Sequence, residues 1–304
     1  MEALHLLQRL DAVVVPHLNN RKYLTYKHKM KISIITATYN SAQTIQDTIN
    51  SMRRQDFTDY EHIIVDGGST DGTMNIVKAN AARYGVGHLK WVSEPDEGIY
   101  DAMNKGIAMA TGDVIGILNS DDFYTSFDVL TAISREFERH PEVEAVYGDI
   151  HYVHKDDTTR LVRFYSSKRF RRWKMRFGFM PAHPSFYCRK EVYERFKMNG
   201  RGIENFRGDP DKAYFNTAYR IASDFDFLVR TIYKGRIKTS YIWKDFVTMR
   251  VGGASSSGMQ SHKVIFREHL RILARNGVYS NWFILSLRYP FKVFDLVMGK
   301  LNQW

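Results

Sequence analysis

The chain has 304 residues, 44% of them apolar, with a formal net charge of +11 and a single cysteine, Cys188. That length can bury a sizeable core as one large domain or two small ones; a lone cysteine excludes a disulfide framework and a Cys-based zinc site, and fits a reducing compartment. No signal peptide is read and no apolar run is long enough to span a bilayer, while the positive charge calls for nucleic acid, an anionic membrane face or a phosphorylated substrate.

Residues 1–30 stand apart from the rest of the chain. They hold one amphipathic piece, Leu4 to Val15, and a basic link with Arg21, Lys22, Lys27 and Lys29. The compact domain is expected to start at Met30-Lys31. From there strands and helices alternate. Ile32-Ser33-Ile34-Ile35 is an apolar strand leading into Thr36-Ala37-Thr38-Tyr39-Asn40-Ser41. Asn40 or Ser41 is expected to cap a helix that puts Ile45, Ile49 and Met52 on one face. His62-Ile63-Ile64-Val65 is a second buried strand, followed by the glycine turn Asp66-Gly67-Gly68-Ser69-Thr70-Asp71-Gly72-Thr73 and a helix to about Tyr84. Leu89 to Val92 is a third strand with the exit loop Glu94-Pro95-Asp96-Glu97-Gly98, and Ile99 to Ala110 is helical. The fourth strand, Val114 to Leu118, runs into Asn119-Ser120-Asp121-Asp122. Strands alternating with helices of this length predict an α/β fold with a parallel, doubly wound sheet.

The four strand exits share a chemistry and should lie along one sheet edge. They carry Thr36, Thr38, Tyr39 and Asn40; Asp66; Asp96; and Asp121 with Asp122. Hydroxyls and glycines suit phosphates and ribose, and carboxylates suit base N–H groups, ribose hydroxyls or a metal. Asp121 and Asp122 read as a platform for a hard divalent cation, Mg²⁺ or Mn²⁺, with a solvated turn or helix cap as the competing reading. Asp71 reads as a helix cap.

Five motifs in this order and spacing, Ile34 to Asn40, Ile64 to Thr73, Asp96-Glu97-Gly98, Asn104-Lys105-Gly106 and Leu118 to Asp122, make residues 31–125 resemble a family 2 glycosyltransferase. The resemblance implies the GT-A fold, a Rossmann-like, doubly wound and mostly parallel sheet with an acceptor-side subregion and a helical C-terminal tail. It further implies inverting transfer of a hexosyl or N-acetylhexosaminyl group from a nucleotide sugar, a UDP-sugar favoured, in bacterial surface polysaccharide assembly. By that resemblance Ala37, Thr38, Tyr39, Asp66, Asp96, Lys105, Ser120 and Asp121 bind the nucleotide sugar, with Asp66 accepting from the base, and Asp121 and Asp122 hold the metal. Asn119 stands where many relatives have an aspartate, which leaves the direct metal ligand open between Asp121 and Asp122.

The second half is less regular. Val143 to Ile150 reads as a strand, paired with His151 to His154. A basic run from Arg160 to Arg176 is interleaved with Phe164, Tyr165, Phe170 and Trp173. It suits an anionic membrane face, an acceptor diphosphate or a plain solvated surface better than nucleic acid. His183 falls in a segment that faces the acceptor in similar proteins; a structural histidine is the alternative. Ile221 to Arg230 is similar to the family's helix bearing the catalytic base, with Asp224 at the position of the base or else a plain helix N-cap, Ser223 where a glutamate often stands, and Asp226 structural. Val251 to Gly258 is a small-residue loop, a lid or a linker, before a helix from about Gln260 to Arg275. Trp282 to Trp304 suits an interfacial amphipathic segment or packing onto the domain or a second copy. The expected organisation is an N-terminal extension (1–30), a nucleotide-sugar half (31–150), an acceptor and base half (151–258) and C-terminal helices (259–304). The acceptor is expected to be a glycan or lipid-linked saccharide, and the location the cytoplasmic, inner face of the cytoplasmic membrane, peripherally bound. A sugar-phosphate nucleotidyltransferase would want a glycine-rich basic triphosphate loop, which is not read. A basic nucleic-acid-binding protein would not explain acidic strand exits.

Overall fold

A computed structural model describes residues 10–14, 24–28, 30–84, 88–201, 203–252 and 259–291. Within the extension, β1 (Leu10–Val14) pairs antiparallel with β2 (Leu24–His28), so the amphipathic piece and the basic link contain the two halves of a small ribbon. Among the described residues the main sheet has nine strands. β3 (Ile32–Thr38), β4 (Tyr60–Asp66), β5 (Leu89–Ser93) and β6 (Val114–Ile117) run parallel in the order β5-β4-β3-β6. The sheet continues through β10 (Phe186–Arg189), which is antiparallel to both β6 and β8 (Ala145–Val153). β11 (Thr239–Arg250) lies parallel to β8, and the short β7 (Phe123–Tyr124) closes that edge.

β3 is buried along its whole length because both sheet faces are covered,. Ile32 and Ile34 point into one core, shared with α1 (Ile45–Arg53), α2 (Thr73–Ala81) and α4 (Val129–Arg139). Ile35 and Ala37 point into the other, shared with α3 (Ile99–Met109), α5 (Lys190–Arg195) and α6 (Ser223–Leu228). Gly106 lets α3 sit close on β3, since a Cβ there would lie 2.4 Å from Ile35 Cγ2. The second core also takes α7 (Met259–Arg275) and α8 (Trp282–Ser286) through Ile272, Leu273 and Leu285.

Two local expectations give way. Neither Asn40 nor Ser41 caps α1, whose N-cap is Thr44 without a side-chain bond. Asn40 instead adopts a left-handed backbone (φ +48°), and its side-chain oxygen accepts from the Thr70 N–H at 2.9 Å, tying the β3 exit to the β4 exit. The strand expected at 143–150 runs on through Val153, and the strand that follows it and pairs back on it is β9 (Leu161–Tyr165), not His151 to His154. The start of the basic run is therefore an edge strand. The expected loop lies outside the described residues from 253 to 258, as does the tail from 292 to 304.

Candidate active site

From β3 the chain steps outward to β4 and β5, then returns to place β6 on the other side of β3. The carboxyl ends of β3 and β6 therefore form a topological switch point, the place where open α/β sheets bind ligands. Thr36 Oγ1 donates to the Leu118 carbonyl at 2.7 Å, and the Ser41 and Ser120 hydroxyls lie 2.9 Å apart, joining the two exits. Ala37 and Thr38 are buried, with the Thr38 hydroxyl unpartnered, and Tyr39 is 63% exposed.

Asp66, fully buried at the end of β4, gathers the neighbouring loops. Its Oδ2 accepts from the Ser69 N–H (3.0 Å), the Gly68 N–H (3.2 Å) and the Ser93 hydroxyl (2.6 Å), and its Oδ1 from the Ser69 hydroxyl. Asp96 leans over Gly67, where a Cβ would lie 2.5 Å from Asp96 Oδ2. Burial, with Asp101 and Asp66 nearby, raises the Asp96 pKa against the Gly98 N–H bond that opposes it. Lys105 staples α3 to the β5 exit, 2.9 Å from Glu94 and 3.5 Å from Asp101, and donates to the Pro95 carbonyl at 3.1 Å. Burial works to lower its pKa, but the Glu94 and Asp101 carboxylates prevail and raise it. Asp71 is not the expected helix cap, because the N-cap of α2 is Gly72; its carboxylate instead accepts from the Thr73 N–H at 3.0 Å and from the Ala42 N–H at 2.9 Å, tying the β3 exit to the β4 exit.

At the β6 exit, Asp122 is fully buried and Asp121 half-buried. Asp122 Oδ2 accepts from Asn119 Nδ2 at 3.0 Å, while Asp122 Oδ1 and Asn119 Oδ1 are buried without a hydrogen-bond partner among the described residues. Burial raises the pKa of both aspartates, and Asp121 pushes Asp122 further. Unpartnered oxygens beside a half-buried carboxylate fit a hard divalent cation, since such ions take oxygen ligands and complete their shell with substrate phosphates. Among the described residues no cluster of three His, Cys, Asp or Glu side chains forms an all-protein metal cage. Arg250, at the end of β11, donates to the Asp121 carbonyl at 2.5 Å and pairs with Asp47 on α1. Its contact spans 129 residues, and no local pattern in the sequence announced it.

Asp224 lies in the first turn of α6 and is partly exposed. The turn leading into the helix is held by a residue that sequence reasoning missed, the buried Glu268 of α7, whose carboxylate accepts from the N–H groups of Arg220, Ile221 and Ala222 at 2.6–3.0 Å. Ala222 is the N-cap and no side chain caps the helix; Asp224 accepts from the Phe225 N–H at 2.8 Å and, weakly, from the Tyr100 hydroxyl at 3.5 Å. Burial raises its pKa, partly countered by His183. His183 is buried edge-on against Phe215 at 5.7 Å, and burial lowers its pKa. The fold thus brings His183, Tyr100 and Asp224 into one electrostatic neighbourhood. Asp226 turns away, fully buried between Arg230 Nε (3.0 Å) and Asn276 Nδ2 (3.1 Å).

Residues 33–196, more than half of the chain, match the family model described as Glycosyl transferase family 2. The chain belongs to this family. It is a glycosyltransferase that moves a sugar from a nucleotide-sugar donor to an acceptor, which sets aside the nucleotidyltransferase and nucleic-acid readings. It is 28% identical over 277 residues to the PGL/p-HBAD biosynthesis glycosyltransferase of Mycobacterium bovis, covering 90% of this chain and 96% of that one. In fold the glycosyltransferase is similar to the 1–349 fragment of TarS from S. aureus in complex with UDP-GlcNAc, at TM-score 0.61 and 20% identity, over 80% of this chain and 66% of that one. Against the longer TarS structure the chain spans only 40% of its length. It also resembles the mannosyltransferase PcManGT of Pyrobaculum calidifontis, in complex with GDP-Man and Mn²⁺, at TM-score 0.53 and 17% identity, over 97% of this chain and 86% of that one. Among the described residues no helix is long and apolar enough to cross a membrane.

Proposed function

We propose that this glycosyltransferase inverts the anomeric centre of a UDP-sugar, using Asp224 as the base that deprotonates an acceptor hydroxyl. The nucleotide lies along the switch-point edge, between Tyr39 and the Asp66 and Asp96 loops, with Lys105 holding the β5 exit in place and Ser120 and Asp121 against the ribose and diphosphate. Mg²⁺ or Mn²⁺ would be held by Asp121, the more exposed of the pair, with the Asn119 and Asp122 oxygens behind it. When bound, such a cation neutralises charge on the nucleoside diphosphate as it leaves. Asp224 takes the proton while the acceptor oxygen attacks from the face opposite the leaving group, so no covalent enzyme intermediate is needed. His183 and Tyr100 set the charge and shape around the base.

The acceptor is a glycan or lipid-linked saccharide in surface polysaccharide or glycolipid assembly; the similarity to a PGL/p-HBAD biosynthesis enzyme supports this setting. Peripheral membrane binding is supported by the aromatics beside basic residues: Trp173 packs edge-on with Phe177 at 5.7 Å, Phe177 with Phe291 at 6.0 Å, and Trp282 is 67% exposed. The observation that carries the donor reading is the pair of buried, unpartnered oxygens on Asn119 and Asp122 beside Asp121 at the switch point. A thermal-stabilisation screen of nucleotide sugars with and without Mn²⁺ tests it, because a ligand that binds only the folded state raises stability by mass action. A UDP-sugar is expected to raise Tm in a metal-dependent way. No response to any nucleotide sugar overturns it.

A further inference from the structure

In the second half of the chain a pocket of about 470 Å³ is lined by Arg171, Arg172 and Arg236 together with Tyr147, Phe170 and Thr239. The Tyr147 and Phe170 rings meet edge to face at 5.8 Å. No carboxylate lines the pocket, and among the described residues none of the three exposed guanidiniums has an ion-pair partner. Among the described residues Arg171 donates only to the Lys168 and Phe170 carbonyls, and Arg172 donates to the Tyr233 carbonyl at 3.5 Å and lies over the Tyr233 ring, 6.0 Å from its centroid. Each guanidinium carries five N–H donors in a planar fork that matches phosphate oxygens. Three such forks around one opening leave most of their donors for an anion.

Arg236 is carried to the pocket by the end of the helical segment. Its backbone is left-handed, φ +52°, at the position after Gly235 where the Ile237 N–H turns back to the Thr231 carbonyl and closes the helix,. The preceding Gly235 does not absorb the turn; a Cβ there would lie 2.1 Å from Phe196 Cζ, so glycine is needed at 235 for packing. The left-handed position is left to the arginine that lines the pocket. Ile232, another lining residue, follows Asp224 by eight positions along one continuous helical segment, roughly 12 Å at the helical rise,.

We propose that Arg171, Arg172 and Arg236 form a phosphate-binding subsite that takes a phosphate carried by an acceptor or by a lipid headgroup. The placement rests on reading the Asp224 side as the acceptor half, but the binding test needs no catalysis. Inorganic phosphate is titrated by calorimetry with UDP and Mg²⁺ in excess, so that the donor edge is filled. Arg236→Gly relieves the backbone and removes one fork. It is expected to weaken phosphate binding about tenfold, as for loss of a charged hydrogen-bond group, with UDP affinity unchanged and Tm equal or higher. Arg171→Lys with Arg172→Lys keeps the charge but loses the forks, and should weaken binding less than the alanine pair does.

Glycerol phosphate and vesicles of phosphatidylglycerol in phosphatidylcholine separate the sources. Vesicle binding that depends on Arg236 identifies a headgroup; competition by glycerol phosphate, with vesicle binding equal in wild type and variant, identifies a soluble phosphorylated acceptor. Phosphate affinity equal in wild type and in the Arg171→Ala, Arg172→Ala, Arg236→Gly triple variant, or no binding by wild type, overturns the subsite. If Asp224→Asn leaves kcat intact while phosphate binding still depends on Arg236, the subsite stands and the catalytic reading falls.

Discussion

Asp224 and Asp226 sit two residues apart and face different work. Asp226 is buried in a pair with Arg230 and Asn276, so Asp226→Asn is expected to cost roughly 2 kcal/mol of stability and leave kcat near wild type,. Asp224 is partly exposed and is not the helix N-cap, which is Ala222. Asp224→Asn should lower kcat by about 10²–10⁴ while Tm and UDP affinity hold. Steady-state kinetics beside a melting curve separates the two variants, and normal turnover by Asp224→Asn would remove the base. Because burial raises the Asp224 pKa and a base must be ionised, the acidic limb of the rate profile should lie above the ordinary aspartate range,. At the donor edge, Asp121→Asn is expected to abolish the Mn²⁺ dependence of UDP binding. Asp122→Asn, behind it and with its carboxyl pKa already pushed well up, should change it less. Calorimetry with and without Mn²⁺ reads both, and equal metal dependence in all three proteins would place the cation elsewhere. Asp66→Ala strands two N–H groups and two hydroxyls, so UDP affinity should fall by roughly 1–3 kcal/mol in the same experiment,.

β4 carries an acid sensitivity of its own. Glu61, buried, accepts from Lys31 (3.1 Å), Lys90 (2.7 Å), Ser33 (2.6 Å) and the Thr111 N–H (2.6 Å), joining β3, β4, β5 and the turn before β6. Burial alone would raise its pKa, but these donors together lower it to about 2. Its neighbour His62 is buried as the neutral ring, with its pKa lowered by burial to about 3. For both groups the unfolded chain binds protons more readily than the folded one, so stability falls as pH falls. His62 contributes this slope between about 6.5 and 3, and Glu61 between about 4.5 and 2, the latter worth about 3 kcal/mol once fully lost,. Denaturant unfolding across pH is expected to show Glu61→Gln less stable near neutrality and flatter below pH 4.5, and His62→Gln flatter from 6.5 downward. Parallel profiles for wild type and both variants would remove these two groups from the acid response.

Across the whole molecule, the net charge of +11 and the aromatic face around Trp173, Phe177 and Phe291 set an expectation for surfaces rather than for chemistry. The protein should sediment with anionic vesicles at low salt and be released as ionic strength shortens the Debye length to about 10 Å and below. Trp173→Ala with Trp282→Ala should weaken vesicle binding while UDP affinity stays unchanged. If the wild type remains in the supernatant at low salt, these aromatics serve packing or self-association.

The first half of the fold was legible in the chain because parallel strands buried on both faces must be continuous apolar runs. Ile32 to Ile35, Ile63 to Val65 and Val114 to Leu118 can be little else, and polar residues can appear only where those runs leave the core. The candidate donor residues stood out as the polar residues where those runs end, and the suspected base only through the resemblance of its helix to the family's. Tertiary structure alone decided that β3 and β6 lie side by side, that β10 enters the sheet between β6 and β8, and that β9 claims the start of the basic run. It also decided that Asn40 bridges two loops rather than capping a helix, that Arg250 closes over Asp121, and that Glu268 gathers the turn before α6. Each of these last three contacts joins residues 30 to 129 positions apart, a separation at which no periodicity or capping rule leaves a trace and only the packing of the whole chain selects the partner.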